Sequence, residues 1–239
     1  MTSPRILFVH GLESRALGSK TILLREQGFD VRAHDMNMGV WQVTRTNSVV
    51  RMASRLPEVQ LVLGGLAAIV GTTRSKRGAL VSAALGATWA ALRKNAVMAQ
   101  ALTNSFSACV DIQKSALQVE NPDIVIGSSW GGAVVVELMR QGIWSGPTVL
   151  LAPAVERVCR RTGRGDSREI ARQLRGRRVV VFHDPTDDVV PFADSEVLAN
   201  EGHWELRAVD GGGHRLLGIC QDGRLADALH GLWAEYAAN

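Results

Sequence analysis

The stretch Gly127-Ser128-Ser129-Trp130-Gly131 is a G-x-S-x-G pentapeptide on a strand-to-helix junction. Before it stands Asp123-Ile124-Val125-Ile126, a short apolar strand. After it, Gly132 to Met139 reads as an apolar helix ended by Gly142. A serine on so sharp a turn is pushed out of the sheet with its hydroxyl exposed. The flanking glycines are needed where a Cβ would clash as the strand doubles back into the helix.

Working outward, strands alternate with helices over most of the chain. Ile6 to Val9 reads as a buried strand, Ser19 to Gln27 as a helix stopped at Gly28, and Phe29 to His34 as a second strand. Asp123 to Gly127 is the third, Thr148 to Leu151 the fourth, Val179 to Phe182 the fifth and Trp204 to Val209 the sixth. A last helix is predicted from about Arg224 to Ala237, with Leu225, Leu229, Leu232, Trp233 and Tyr236 on one face. Near-continuous Val/Ile/Leu strands separated by helices predict an α/β fold, a mostly parallel sheet covered on both faces. In such sheets the chemistry sits beyond the carboxyl ends of the strands.

At 239 residues the chain is read as one domain, 1–239, with an insertion at about 36–103. The insertion holds two apolar, small-residue-rich segments, Val59 to Gly71 and Ala79 to Leu92, separated by the basic turn Arg74-Ser75-Lys76-Arg77. Each is shorter than the roughly twenty residues that span a bilayer. They read as a helical hairpin, with Gly64, Gly65, Ala68 and Gly71 placed to pack against Ala83, Gly86, Ala87 and Ala90. Three roles stand open for it: a cap lining an apolar pocket, a peripheral membrane contact, or simple packing on the domain.

A serine hydroxyl needs a base, and the base needs an acid that holds one tautomer. The fifth strand leads into His183-Asp184-Pro185-Thr186-Asp187-Asp188-Val189-Val190-Pro191, and the sixth into Asp210-Gly211-Gly212-Gly213-His214. The order Ser129, Asp187, His214 is the one that follows a strand–serine–helix elbow.

On these residues, together with His10-Gly11 after the first strand, the chain resembles the alpha/beta-hydrolase superfamily. It is most similar to small bacterial serine esterases whose first strand ends in His-Gly. The resemblance implies a Ser129–His214–Asp187 triad, the acid lying four residues after the histidine of a His-Gly-x-x-Asp-x-x-Val-Pro stretch. Asp184 stands where that stretch has glycine, and Asp188 is the alternative acid. It further implies an oxyanion hole from the backbone N–H groups of Trp130 and Leu12. His10 reads as a structural residue of the loop.

The function so implied is a serine hydrolase cleaving esters or thioesters with an apolar acyl group. Two other classes stay in view: a membrane- or lipid-binding protein on a hydrolase scaffold, and an acyltransferase or amidase with the same triad. No cofactor is implied, and no His/Cys/Asp/Glu spacing suggests a metal. His34, His203 and His230 read as surface or half-buried residues.

Net charge is +4. Arginines cluster from Arg157 to Arg178, readable as a solvated helix face or as an anion-attracting rim. The absence of interleaved aromatics speaks against nucleic acid. Cys109, Cys159 and Cys220 are odd in number and far apart. With no signal-peptide pattern at the start, they favour reduced thiols and a cytoplasmic setting.

Overall fold

The computed structural model of the chain describes residues 3–72 and 76–237. Its six strands are β1 (Arg5–Val9), β2 (Asp30–Arg32), β3 (Ile124–Ser128), β4 (Thr148–Leu151), β5 (Val179–His183) and β6 (Glu205–Ala208). They form one sheet in the order β2-β1-β3-β4-β5-β6, and every pairing is parallel. The expected α/β architecture is therefore present, with strand ends moved by a residue or two. The largest change is at the second strand: only Asp30 to Arg32 of the Phe29–His34 stretch pair with β1.

Side-chain alternation explains why the strands read as continuous apolar runs. In β1, Leu7 and Val9 enter one core cluster and Ile6 and Phe8 the other. Val125 and Ile126 of β3 divide in the same way. Both faces are buried, so period-two polarity disappears. Helix α1 (Ser19–Glu26) and the C-terminal helices α9 (Gly218–Gln221) and α10 (Arg224–Ala237) cover one face. Leu225, Leu229 and Leu232 of α10 are buried as expected, whereas Trp233 is half-buried and Tyr236 exposed.

The other face is covered by α5 (Trp130–Arg140), α6 (Val155–Thr162), α7 (Ser167–Gln173) and α8 (Phe192–Gly202), together with part of α4 (Lys76–Glu120). Every residue of α5 except Arg140 is buried. Leu138→Ala in this helix would cost about 2–5 kcal/mol through lost contacts and the cavity left behind.

Between β2 and β3 the chain leaves the sheet. A loop carries the fully buried Met36 and Met38, then α2 (Val49–Ser54) and α3 (Pro57–Thr72) lead to α4. The second predicted hairpin segment is the front of α4, a continuous 45-residue helix. From Lys76 to about Val97 α4 runs beside α3, with Arg93 bonded to Glu58 at 2.9 Å. Burial begins at Ala101 and continues through Phe106, Cys109, Val110, Ala116 and Leu117. Arg74 and Ser75 of the expected basic turn lie outside the described residues; Lys76 and Arg77 open α4.

The hairpin seam differs from the expectation. A Cβ on Gly86 would stand 2.8 Å from Leu66 Cδ1, so Leu66 seats on Gly86. Gly64 and Gly65 are exposed, with no atom within 4 Å of their Cβ directions. The seam is a leucine on a glycine instead of facing small-residue rows. Leu61, Leu63, Leu80, Val81, Leu85 and Leu92 all remain exposed. Among the described residues, no helix is long and apolar enough to cross a membrane.

Candidate active site

Ser129 lies between the last residue of β3 and the first of α5, with φ 54° and ψ −117°. A non-glycine residue in this region costs on the order of 1–3 kcal/mol and persists only where its surroundings enforce it. Here the enforcement is steric. A Cβ on Gly131 would lie 2.2 Å from the Val9 carbonyl oxygen and 2.5 Å from that of His10. A Cβ on Gly127 would meet the Gly132 Cα at 2.8 Å. The two glycines let α5 close onto the end of β1 and bring the Gly11–Leu12 loop beside the serine.

The loop after β6 delivers His214. Gly211 and Gly213 adopt positive φ, 72° and 51°. The Val209 N–H donates to the His183 carbonyl at 2.8 Å, and the Gly213 N–H to Asp184 Oδ2 at 2.6 Å. His214 Nε2 lies 2.9 Å from Ser129 Oγ, and its Nδ1 lies 2.8 Å from Asp187 Oδ2. A carboxylate can only accept, so Nδ1 carries the proton and Nε2 is left to accept from the serine hydroxyl. The structure thus brings Ser129, His214 and Asp187 into one hydrogen-bonded chain. Asp188, the alternative acid, is exposed to solvent.

Asp187 is over-determined. Its Oδ1 accepts from the Val189 and Val190 N–H groups at 2.7 and 3.0 Å. Its Oδ2 also accepts from His183 Nε2 at 3.1 Å. Burial pushes this carboxyl upward, but the Val190 N–H, the His214 ring and the Val189 N–H outweigh it and hold it below the usual carboxylate range. His183 is itself fixed: Nε2 also donates to the Val190 carbonyl, and Nδ1 accepts from the Ser195 hydroxyl at 2.6 Å.

No protein-family model and no curated protein matches the sequence. Solved structures do. The crystal structure of TT1662 from Thermus thermophilus superposes with a TM-score of 0.58 at 14% identity, over 97% of this chain and 90% of that one. Est1E from Butyrivibrio proteoclasticus gives 0.56 at 13% identity, over 99% and 89%. A structure of Est1E with ferulic acid bound gives 0.51 at 13% identity, over 99% and 90%. The chain has the alpha/beta-hydrolase fold.

Within this hydrolase fold, two cavities open on Ser129 and His214. The larger, about 680 Å³, is walled by Met38, Val40, Trp41, Met98, Leu102 and Val158. Arg157, Arg160 and Arg161 stand along it. Other arginines of the cluster are engaged elsewhere: Arg164 pairs with Glu137, and Arg172 with Glu201. The smaller cavity, about 290 Å³, shares Ser129 and His214 with it and is otherwise walled mainly by different residues, among them Gly11, Arg15, Lys20, Ser128 and Arg215. Leu12 borders both.

His10 is buried; its Nε2 accepts the Met36 N–H at 3.0 Å and its Nδ1 donates to the Gly11 carbonyl at 2.8 Å. Burial lowers its pKa. It shapes the loop that carries Leu12. His34, His203 and His230 lie away from both cavities, His34 against Glu120 at 2.7 Å and His230 against Phe29.

Four contributors carried no sequence signal of their role. Asp184 clamps the His214 loop through Gly213. His183 steadies Asp187. Glu13 accepts from the Val40 N–H at 2.6 Å and from the Gln42 amide, tying the Leu12 loop to the loop ahead of α2. Lys20 Nζ donates to Ser128 Oγ at 3.2 Å, beside the nucleophile position. Among the described residues no cluster of three or more His, Cys, Asp or Glu could hold a metal.

Proposed function

We propose that this chain is a serine hydrolase acting on carboxylic esters or thioesters with an apolar acyl group. The observation that carries the reading is the Ser129–His214–Asp187 hydrogen-bonded chain opening on a large apolar cavity. That Est1E, similar in fold, holds ferulic acid, a carboxylic acid, agrees with a small acyl substrate.

In this reading Ser129 Oγ attacks the acyl carbon while its proton passes to His214 Nε2. The charge gathering on the carbonyl oxygen is met by the Leu12 and Trp130 N–H groups, each such donor being worth about 10²–10³ in rate. The carbon–oxygen or carbon–sulfur bond then breaks. His214 gives its proton to the departing alkoxide or thiolate, and the acyl group stays on Ser129. Water, deprotonated by His214, attacks the acyl-enzyme; the carboxylic acid leaves and Ser129 recovers its proton. Asp187 holds the His214 tautomer throughout and balances its positive charge.

The insertion divides into two parts here. Met38, Val40 and Trp41, with Asn95, Met98 and Leu102 of α4, wall the acyl pocket and act as the cap. Among the described residues, the outer hairpin contributes none to that wall. Its exposed Leu61, Leu63, Leu80, Leu85 and Leu92 favour a second, compatible role as a peripheral membrane contact. The three cysteines are free and buried, in keeping with a reducing compartment.

Labelling with a serine-reactive fluorophosphonate tests the hydrolase reading. Adduct formation at Ser129, lost in Ser129→Ala, is expected; a folded protein that does not label there overturns it. A chain-length series of chromogenic esters tests the acyl pocket, and a sharp preference for acetate esters counts against a large apolar one. Sedimentation with anionic liposomes tests the hairpin, and absence of binding at low salt removes the membrane role.

A further inference from the structure

The smaller cavity differs in chemistry from the acyl pocket, and the difference has a direction. Its charged lining side chains are Lys20, Arg15, Arg215 and Glu13, with His214 at the serine. Glu13 is engaged by Val40 and Gln42 of the loop ahead of α2. Among the described residues no carboxylate forms an ion pair with Lys20, Arg15 or Arg215; the neighbours that act on Lys20 are Cys220 and Arg215. Cys220 is a buried thiol pushed up to about 11, so it brings no negative charge near neutrality. Arg15 and Arg215 are exposed, whereas Lys20 is half-buried, with Ser128 Oγ as its hydrogen-bond partner.

A lysine so placed without a counter-ion is costly, since burial penalises its charged form. Its Nζ keeps two further donors beyond the Ser128 bond. It is bonded to the residue next to Ser129 and lines the smaller cavity but not the apolar one.

We propose that this cavity is the leaving-group site and that Lys20, with Arg15 and Arg215, recognises an anionic group on the alcohol or thiol released. The inference rests on the hydrolase reading for which side of the scissile bond the cavity receives. The substrate class becomes an apolar acid esterified to an alcohol that bears a carboxylate or a phosphate. A charge-assisted hydrogen bond in such a site is worth about 10- to 100-fold in kcat/KM.

The test uses one medium-chain acid esterified to three phenols: methyl 3-hydroxybenzoate, 3-hydroxybenzoate and 3-hydroxyphenyl phosphate. The expected result is a preference for one or both anionic esters of about tenfold or more, expressed chiefly in KM. That preference should collapse in Lys20→Met, survive in part in Lys20→Arg, and weaken with added salt. The larger gain, on carboxylate or phosphate, names the group. Equal kcat/KM on all three esters overturns the proposal. So does a preference lost in Arg161→Gln but kept in Lys20→Met, which would place the anion on the arginine rim. Turnover of none of the esters sinks the hydrolase reading instead. The anion site is then read by calorimetric titration of folded Ser129→Ala with 3-hydroxybenzoate and with phenyl phosphate. Binding lost on adding Lys20→Met sustains it, and no binding of either anion overturns it. Lys20→Gln repeats the measurement should the methionine variant fold poorly.

Discussion

Replacing Asp187 by asparagine probes the most constrained group in the site. Four N–H donors converge on this carboxylate, from Val189, Val190, His183 and His214. An amide has one acceptor oxygen, so its NH₂ must face two of those donors. Each buried donor left facing another costs about 1–3 kcal/mol, giving a stability loss of ~2–6 kcal/mol. If the NH₂ turns to the histidines, His214 loses the tautomer that leaves Nε2 free to accept. In the serine-triad template that change costs about 10⁴ in kcat, equivalent to ~5.5 kcal/mol. Fluorophosphonate labelling rate and kcat on a neutral ester measure the second effect, and urea unfolding the first. Acid titration adds a signature. Burial pushes Asp187 up, but its hydrogen bonds win and hold it below the usual 3.8. Its contribution to stability is therefore complete above the unfolded value and is lost as pH falls through the lower folded one. The asparagine variant lacks that acid-limb loss. Asp188→Asn, on an exposed neighbour, should leave rate and stability near wild type. Retention of more than a tenth of the activity in Asp187→Asn, or an equal loss in Asp188→Asn, refutes the reasoning.

Three further outcomes are expected. Gly131→Ala pushes a methyl into the Val9 and His10 carbonyl oxygens, both backbone, so it should destabilise by several kcal/mol and disorder the serine turn, as read by urea unfolding and labelling rate. Leu102→Trp fills part of the 680 Å³ cavity and should move the optimum of an acyl-chain series toward shorter chains while Ser129 still labels. Lys20 is lowered to about 8, chiefly by burial, so it is protonated below that pH and neutral above it; the preference for anionic esters over neutral ones, measured as a ratio of kcat/KM, should therefore fall as pH rises through about 8.

The central strands were legible because each is buried on both faces and leaves an apolar run, as in Val179 to Phe182, whereas the edge strands β2 and β6 are partly exposed. Ser129, Asp187 and His214 were legible because glycines and turn residues mark the strand ends that carry them. The positioning groups were not. Asp184, His183 and Glu13 do their work through bonds to backbone amides or to side chains that the fold brings near, and although His183 and Asp184 fall in the stretch that marks the acid, nothing local tells their positioning role. Lys20 looks like any polar residue at the start of a helix until the fold closes over it. The insertion misled in a different way. The small apolar residues of 59–92 suggest two packed helices with a close seam; among the described residues Leu66 seats on Gly86 there, while Gly64 and Gly65 and much apolar surface stay outside. Hydropathy also gave no sign that the second helix continues to Glu120, because its rear half is amphipathic and its front half is not.

That continuity makes α4 a lever with very unequal arms. Its anchored part begins at Ala101; Lys76, at the far end, lies 25 residues away, or ~38 Å at 1.5 Å per residue. Met98, in the wall of the larger cavity, is only ~4.5 Å from the same pivot. A swing of ~5° about Ala101 carries the tip through ~3 Å but shifts Met98 by only ~0.4 Å. The outer hairpin is thus geared down: it can sweep across whatever surface it meets while the pocket wall three residues from the fulcrum keeps its shape.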